Sequence, residues 1–186
     1  MNSNFWKELI KLVLISLLIV VPFRMYIAQP FLVEGASMDP TFETGDYLIV
    51  DEITYQFRTP ERGSVIIFKY PIDPRKSFIK RVIGLPNETV TLSDGQVIIV
   101  NTEHPDGLTL DEPYVKLNKQ DSLSYTLGPG EYFVMGDNRL ASADSRIWGS
   151  VPEKNIIGRP ILRLFPPAIF PGDNPIPANI GGLTNE

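Results

Sequence analysis

From Asp46 to Phe165 this chain is cut into short apolar runs by glycine, proline, asparagine and aspartate, and that rhythm limits what it can fold into. Tyr47 to Val50, Val65 to Phe68, Phe78 to Leu85, Tyr132 to Met135 and Ile156 to Phe165 each read as a strand. Glu88 to Leu92 and Gln96 to Val100 flank Ser93-Asp94-Gly95, where Asp-Gly suits a type I′ hairpin turn. Asn101 to Gln120 is polar and turn-rich, as a surface excursion would be. Nothing after the N-terminal region has strong helical periodicity, and there is no internal repeat. With 17 prolines and 14 glycines among 186 residues, the expectation is a mostly β fold. Its antiparallel β-sheet core would occupy residues 28–165, with a small β lobe at about 87–130.

The N-terminal region follows a different rule. Leu12 to Phe23 is uncharged and interrupted only by Ser16. Extension to Leu9 and Ile27 takes in Lys11 and Arg24, whose long stems can carry their charges to the interfaces. As a helix, residues 9–27 would span roughly 28 Å, close to the hydrocarbon thickness of a bilayer. The expectation is one transmembrane helix at 9–27 after a short cytoplasmic N-terminus at 1–8, because Lys7 and Lys11 precede the apolar run. A cleaved leader is the competing reading; a cut after Ala28 would put Tyr26, which is not small, at −3. The tail at 166–186 has five prolines and reads as loosely ordered. Leu164, Phe165, Ile169 and Phe170 would meet either the bilayer interface or the β core.

Composition narrows the chemistry. A net charge of −5 with no dominant basic face argues against a nucleic-acid partner. Cysteine is absent, which removes thiol catalysis, thiolate metal sites and disulfides. The one histidine, His104, sits in Glu103-His104-Pro105-Asp106-Gly107, an exposed turn. A Ser-His-Asp triad would have to use it, and a histidine-rich zinc site is out of reach.

Two residues remain as candidates. Ser37 lies in a tight turn within residues 31–41, with Gly35 before it, Pro40 after it and apolar residues on both sides. It is either a turn serine or a nucleophile awaiting a base. Lys80 follows Phe78 and precedes Val82 on one strand face, with Ile79 and Arg81 on the other. It is either an edge lysine with its amine in water or a buried amine, whose pKa burial would lower. A shift from the reference value to about 8 costs on the order of 3 kcal/mol at neutral pH.

Gly35-Ala36-Ser37-Met38-Asp39-Pro40-Thr41, Arg62 to Phe68, Lys80-Arg81-Val82-Ile83-Gly84 and Gly136 to Arg146 together resemble the type I signal peptidase family. The resemblance runs in the family's order over most of residues 31–160. It implies Ser37 as nucleophile and Lys80 as general base. It implies Ser142 as a hydrogen-bond partner of the lysine amine, Asp144 and Arg146 as a supporting ion pair, and Gly136 and Asp137 as residues that shape the site. The groove would lie between the strand entering Ser37 and the strand carrying Lys80, walled by Phe31, Val33, Met38, Phe42, Phe78 and Ile79. The implied partners are preprotein signal peptides and membrane lipid, with no nucleic acid, no metal and no organic cofactor. The implied location is the plasma membrane or a thylakoid-type membrane, with a single pass and the catalytic domain outside. The chain departs from some members at Gly35, where a serine hydroxyl helps the oxyanion hole. Two other readings stay open: a related Ser-Lys autoprotease, and a catalytically inactive membrane-tethered β module that binds preproteins.

Overall fold

The computed structural model describes residues 3–26, 29–165 and 167–170. The first helix, α1, covers Ser3–Tyr26. It takes in residues 9–26 of the expected anchor; residue 27 lies outside the described residues. Among the described residues no helix is long and apolar enough to cross a membrane.

The strands follow in order: β1 (Gln29–Leu32), β2 (Tyr47–Asp51), β3 (Val65–Lys69), β4 (Ser77–Gly84), β5 (Thr89–Ser93), β6 (Gln96–Val100), β7 (Leu108–Thr109), β8 (Leu123–Thr126) and β9 (Glu131–Met135). A single-turn helix, α2 (Ser145–Trp148), precedes β10 (Val151–Pro152), β11 (Ile156–Arg163) and β12 (Ala168–Ile169). They form two antiparallel sheets. The larger has the order β1-β2-β11-β3-β4-β9-β10, with β12 added to β11; the smaller has the order β7-β6-β5-β8. The mostly β, antiparallel fold read from the turn spacing is the fold observed. The β5–β6 hairpin turns through Asp94 at φ 50° and Gly95 at φ 78°, the two positive values a type I′ turn requires.

Among the described residues, three apolar clusters hold the fold. Ile66, Phe68, Val82, Tyr132 and Val134 fill one face of the larger sheet. Val33, Met38, Phe42 and Leu48 fill a second cluster under β1. The smaller sheet packs Val90, Leu92, Val97 and Ile99 against Ile83 and Phe133 of the larger one. At that junction Gly84 leaves no room for a side chain, because a Cβ there would overlap Val90 and Leu127.

Charged groups also bridge the sheets. Arg62 pairs with Glu88 at 2.6 Å, Arg146 with Asp121 at 2.7 Å, and Arg139 Nη1 donates to Glu112 at 2.9 Å. The Tyr114 ring lies 4.0 Å from the Arg81 guanidinium, and its hydroxyl donates to Glu112 at 2.7 Å. Each acid, and Tyr114, comes from residues 88–121, around and between the strands of the smaller sheet.

The start of the tail differs from the expected loose order. Residues 168–169 pair with Leu162 and Arg163, the Phe170 N–H donates to Ile161 at 2.9 Å, and the Phe170 ring packs 4.9 Å from that of Phe42. The cluster under β1 offers Phe170 an apolar seat, and burial there outweighs the lack of local periodicity. Leu164, Phe165 and Ile169 stay exposed. Residues 166 and 171–186 of the expected tail lie outside the described residues.

Candidate active site

After β1 the chain is clamped by two backbone bonds, Val33 N–H to Asp46 and Gly45 N–H to Val33, each 2.9 Å. Gly35 then takes φ 87°, in the left-handed region that suits glycine, and the chain turns through Ser37. The Ser37 carbonyl accepts from the Asn138 N–H at 3.1 Å, which ties this turn to the segment that follows β9.

Lys80 stands opposite Ile66 in the β3–β4 ladder and is 4% exposed. Phe78 and Val82 share its face, as strand alternation predicts. Its Nζ donates to Ser37 Oγ at 2.6 Å and to the Ile79 carbonyl at 2.8 Å. The sheet thus brings together two residues 43 positions apart in sequence. Burial pushes the amine down to about 8, against the opposing pull of the Asp144 and Asp137 carboxylates. A hydroxyl held on an amine of that basicity has a proton acceptor beside it near neutral pH, the requirement for an activated serine.

Asp144 is fully buried and caps α2, accepting from the Arg146 N–H. Its carboxylate also receives the Arg146 guanidinium at 2.7 and 2.8 Å and the Gly136 N–H at 3.1 Å. Burial alone would raise the Asp144 pKa; Arg146, with help from the nearby Ser142 hydroxyl, outweighs it and holds the group below the usual carboxylate range. The Asp144–Arg146 pair therefore stands where it was expected. Asp137 receives Arg81 at 2.8 and 2.6 Å and the Thr41 hydroxyl at 2.5 Å. Gly136 lies against the Ser37 carbonyl and Ser142 so closely that a Cβ would overlap both.

Ser142 departs from its expected role. The Lys80 amine is taken up by Ser37 and Ile79, and the buried Ser142 Oγ has no full hydrogen bond among the described residues. It packs instead against Gly136.

A cavity of about 580 Å³ opens beside Ser37 and Lys80, walled by Phe31, Val33, Phe78 and Ile79. Met38 and Phe42 do not reach it; each is 1% exposed and sits in the core beneath β1. The reason is local: Phe42 N–H bonds the Met38 carbonyl at 3.0 Å, in a turn whose two side chains both lie in the core. Leu48, Ile67, Ala141 and Ala143 also line the cavity. Their side chains gave no sign of this in the sequence, since two are ordinary strand residues and two are alanines in a polar loop. Arg81, Thr41, Glu112 and Arg139 were also missed as parts of the site. Arg81 and Arg139 were legible as members of matching segments, whereas Glu112 had no local signal. His104 remains in the turn between β6 and β7, its N–H held by Asn101 Oδ1 at 2.7 Å. Among the described residues no cluster of acidic and histidine side chains could hold a metal ion.

Comparison with known proteins gives the family. The family described as "Signal peptidase, peptidase S26" matches residues 6–165. "Probable signal peptidase I-1" of Synechocystis sp. is 39% identical over 171 residues, covering 88% of this chain and 84% of that protein. "Signal peptidase I V" of Bacillus subtilis is 38% identical, covering 85% and 96%. "Probable thylakoidal processing peptidase 2, chloroplastic" of Arabidopsis thaliana is 33% identical, covering 89% and 46%. A crystal structure of a signal peptidase I from Enterococcus faecalis V583, 31% identical, aligns with a TM-score of 0.47 over 55% of this chain and 97% of that one. A family match over residues 6–165, with the Synechocystis and Bacillus relatives 38–39% identical over 84% and 96% of their lengths, makes this protein a member of the peptidase S26 signal peptidase family.

Proposed function

We propose that this chain is a membrane-bound serine endopeptidase that removes N-terminal signal peptides from exported preproteins, with Ser37 as nucleophile and Lys80 as general base. The observation that carries the residue assignment is the 2.6 Å contact between a turn serine and a 4%-exposed lysine at the mouth of an apolar groove. The neutral amine takes the Ser37 proton as the hydroxyl attacks the scissile carbonyl, and then delivers it to the leaving amine. In the second half the same amine activates water against the acyl-enzyme. The Ser37 N–H is one oxyanion donor. Asp144, Arg146, Asp137 and Gly136 position the loop against which the Ser37 carbonyl rests, and Ser142 fills the space beside Gly136.

The substrate lies as an added strand between β1 and β4. The β4–β9 ladder begins at Arg81 opposite Met135, and β1 is the end strand of its sheet, so the backbone of 77–80 and of β1 face this groove with free edges among the described residues. Alternate substrate side chains, −1 and −3, point into the apolar wall and are small, as in Ala-Xaa-Ala. In this reading the apolar stretch at residues 9–27, by its sequence, is the membrane anchor, crossing once with residues 1–8 cytoplasmic and the β fold outside, in a plasma or thylakoid-type membrane. The organisation is that of an anchor at 9–27, a peptidase domain at 28–165 with its smaller lobe at about 87–130, and a tail at 166–186.

The deciding experiment is preprotein processing by the full chain and by Ser37→Ala, with the mature N-terminus sequenced. Cleavage after Ala-Xaa-Ala by the parent protein and none by the variant supports the reading. Binding without cleavage by the parent would instead identify an inactive preprotein-binding module, and cleavage confined to its own chain an autoprotease.

A further inference from the structure

The groove does not end at Phe31 and Ser77. A second cavity, about 520 Å³, opens beyond them and uses both as part of its wall. Strand register explains the position. Ser77 opposes Lys69 at the end of β3, Gln29 at the start of β1 opposes Val50 near the end of β2, and Ile156 opposes Phe68 at the start of β11. The ends of several strands therefore gather at one rim of the larger sheet, on the side away from Lys80. Glu52, Lys69 and Lys154 stand around this cavity, with Tyr55 and Ile156 in its wall. None of these three charged residues makes a salt bridge among the described residues. The Glu52 carboxyl is partly desolvated with nothing to offset it, which raises its pKa.

The direction of approach follows from the chain. α1 ends at Tyr26 and β1 begins at Gln29, three residue steps on, so the helix end lies within roughly 11 Å of the start of β1. A signal peptide whose apolar segment lies beside α1 enters at this rim and runs along β1 toward Ser37. From Lys80 back to Ser77 is about 10 Å of strand. With residue −1 at Lys80, residue −4 reaches Ser77 and residues −5 and −6 reach the second cavity.

We infer that this cavity is a further substrate subsite, one that reads the charge and hydrogen-bonding capacity of the side chains five and six residues before the cut through Glu52, Lys69 and Lys154. The inference rests on the function proposed above. Glutamine, asparagine, serine and threonine carry both a donor for Glu52 and an acceptor for a lysine. Leucine would desolvate the Glu52 carboxylate without replacing its hydrogen bonds with water.

The test uses the full chain in detergent at low salt, with a preprotein series that keeps alanine at −1 and −3 and places Gln, Leu, Asp or Lys at −5 and −6. The parent enzyme should cut the Gln substrate several-fold faster in kcat/KM than the Leu substrate. Lys154→Glu and Lys69→Glu should each move the ratio of kcat/KM for Lys over Asp substrates upward by about three-fold, the scale of an exposed charge pair, and leave the −1 and −3 preference unchanged. An unchanged Lys/Asp ratio in both variants, with normal cutting of the series, would overturn the subsite alone. A parent enzyme that cuts no member of the series would overturn the signal-peptide reading and the subsite with it.

Discussion

Gly136 and Ser142 touch so closely that a methyl group on the first would overlap the hydroxyl of the second, and the same methyl would strike the Ser37 carbonyl. Gly136→Ala should therefore push the 37 turn away from Lys80. The expected result is a loss of about 100-fold in kcat/KM from misplacement alone. Overpacking should lower stability by about 1–3 kcal/mol. Steady-state kinetics beside urea unfolding checks both; unchanged kinetics would mean that this contact does not position Ser37.

The pH profile follows from the lowered pKa of Lys80. The neutral amine is the base, so the acidic limb of kcat/KM should fall near pH 8, where the amine titrates. His104→Ala should leave that limb in place. A limb that disappears with the histidine would remove Lys80 as the base.

The same group leaves a mark on stability. Its pKa is about 8 in the folded chain against 10.5 as the ordinary value. Between those values the unfolded chain binds the extra proton, so stability rises with pH across this window and the full penalty applies below it. Lys80→Met should abolish processing yet be more stable than the parent at pH 7, by up to about 3 kcal/mol, with the margin closing as pH approaches 10.5. Chemical denaturation at the two ends of the window measures it.

Asp144→Asn separates two effects. It removes the partner of a buried arginine, which costs about 3–5 kcal/mol. It also removes a carboxylate that raises the Lys80 pKa, so the acidic limb of the surviving activity should move to lower pH. A shift to higher pH would contradict that electrostatic account.

The groove wall makes a paired prediction. Ile79→Ala should relax the choice of residue at −1 or −3, since Ile79 faces the cavity. Met38→Ala should cost about 2–5 kcal/mol of stability and leave specificity alone, since Met38 lies in the core. Cleavage-site mapping on a preprotein library distinguishes them; altered specificity in the Met38 variant would return that residue to the groove.

The strands flanked by turn residues were legible because alternation and punctuation are local. The 2.6 Å proximity of Ser37 and Lys80 was legible only through the resemblance of whole segments, because nothing local links residues 43 positions apart. Met38 and Phe42 were placed in the groove wall by resemblance, and the turn that buries both has no local signature in the sequence. Strands β7, β10 and β12 were missed since each has two residues, too few for a period. The Thr41–Asp137 bond spans 96 positions, and the approach of Glu112 to Arg139 depends on a second sheet folding over the first.

The arginine contacts between the sheets bear on how this enzyme could be shortened. Arg62, Arg139 and Arg146 are all more than four-fifths buried, and each reaches an acid carried by or beside the smaller sheet. Excising that sheet would leave these guanidinium groups, two of them in the segment that follows β9, with part of their counter-charge gone, a worse state than never having buried them. The smaller sheet is accordingly not a detachable ornament, and a minimal enzyme made by trimming residues 88–126 should fail to fold. Amide hydrogen exchange should show both sheets opening in one cooperative step, with no regime in which the lobe exchanges while the Ser37 loop stays protected.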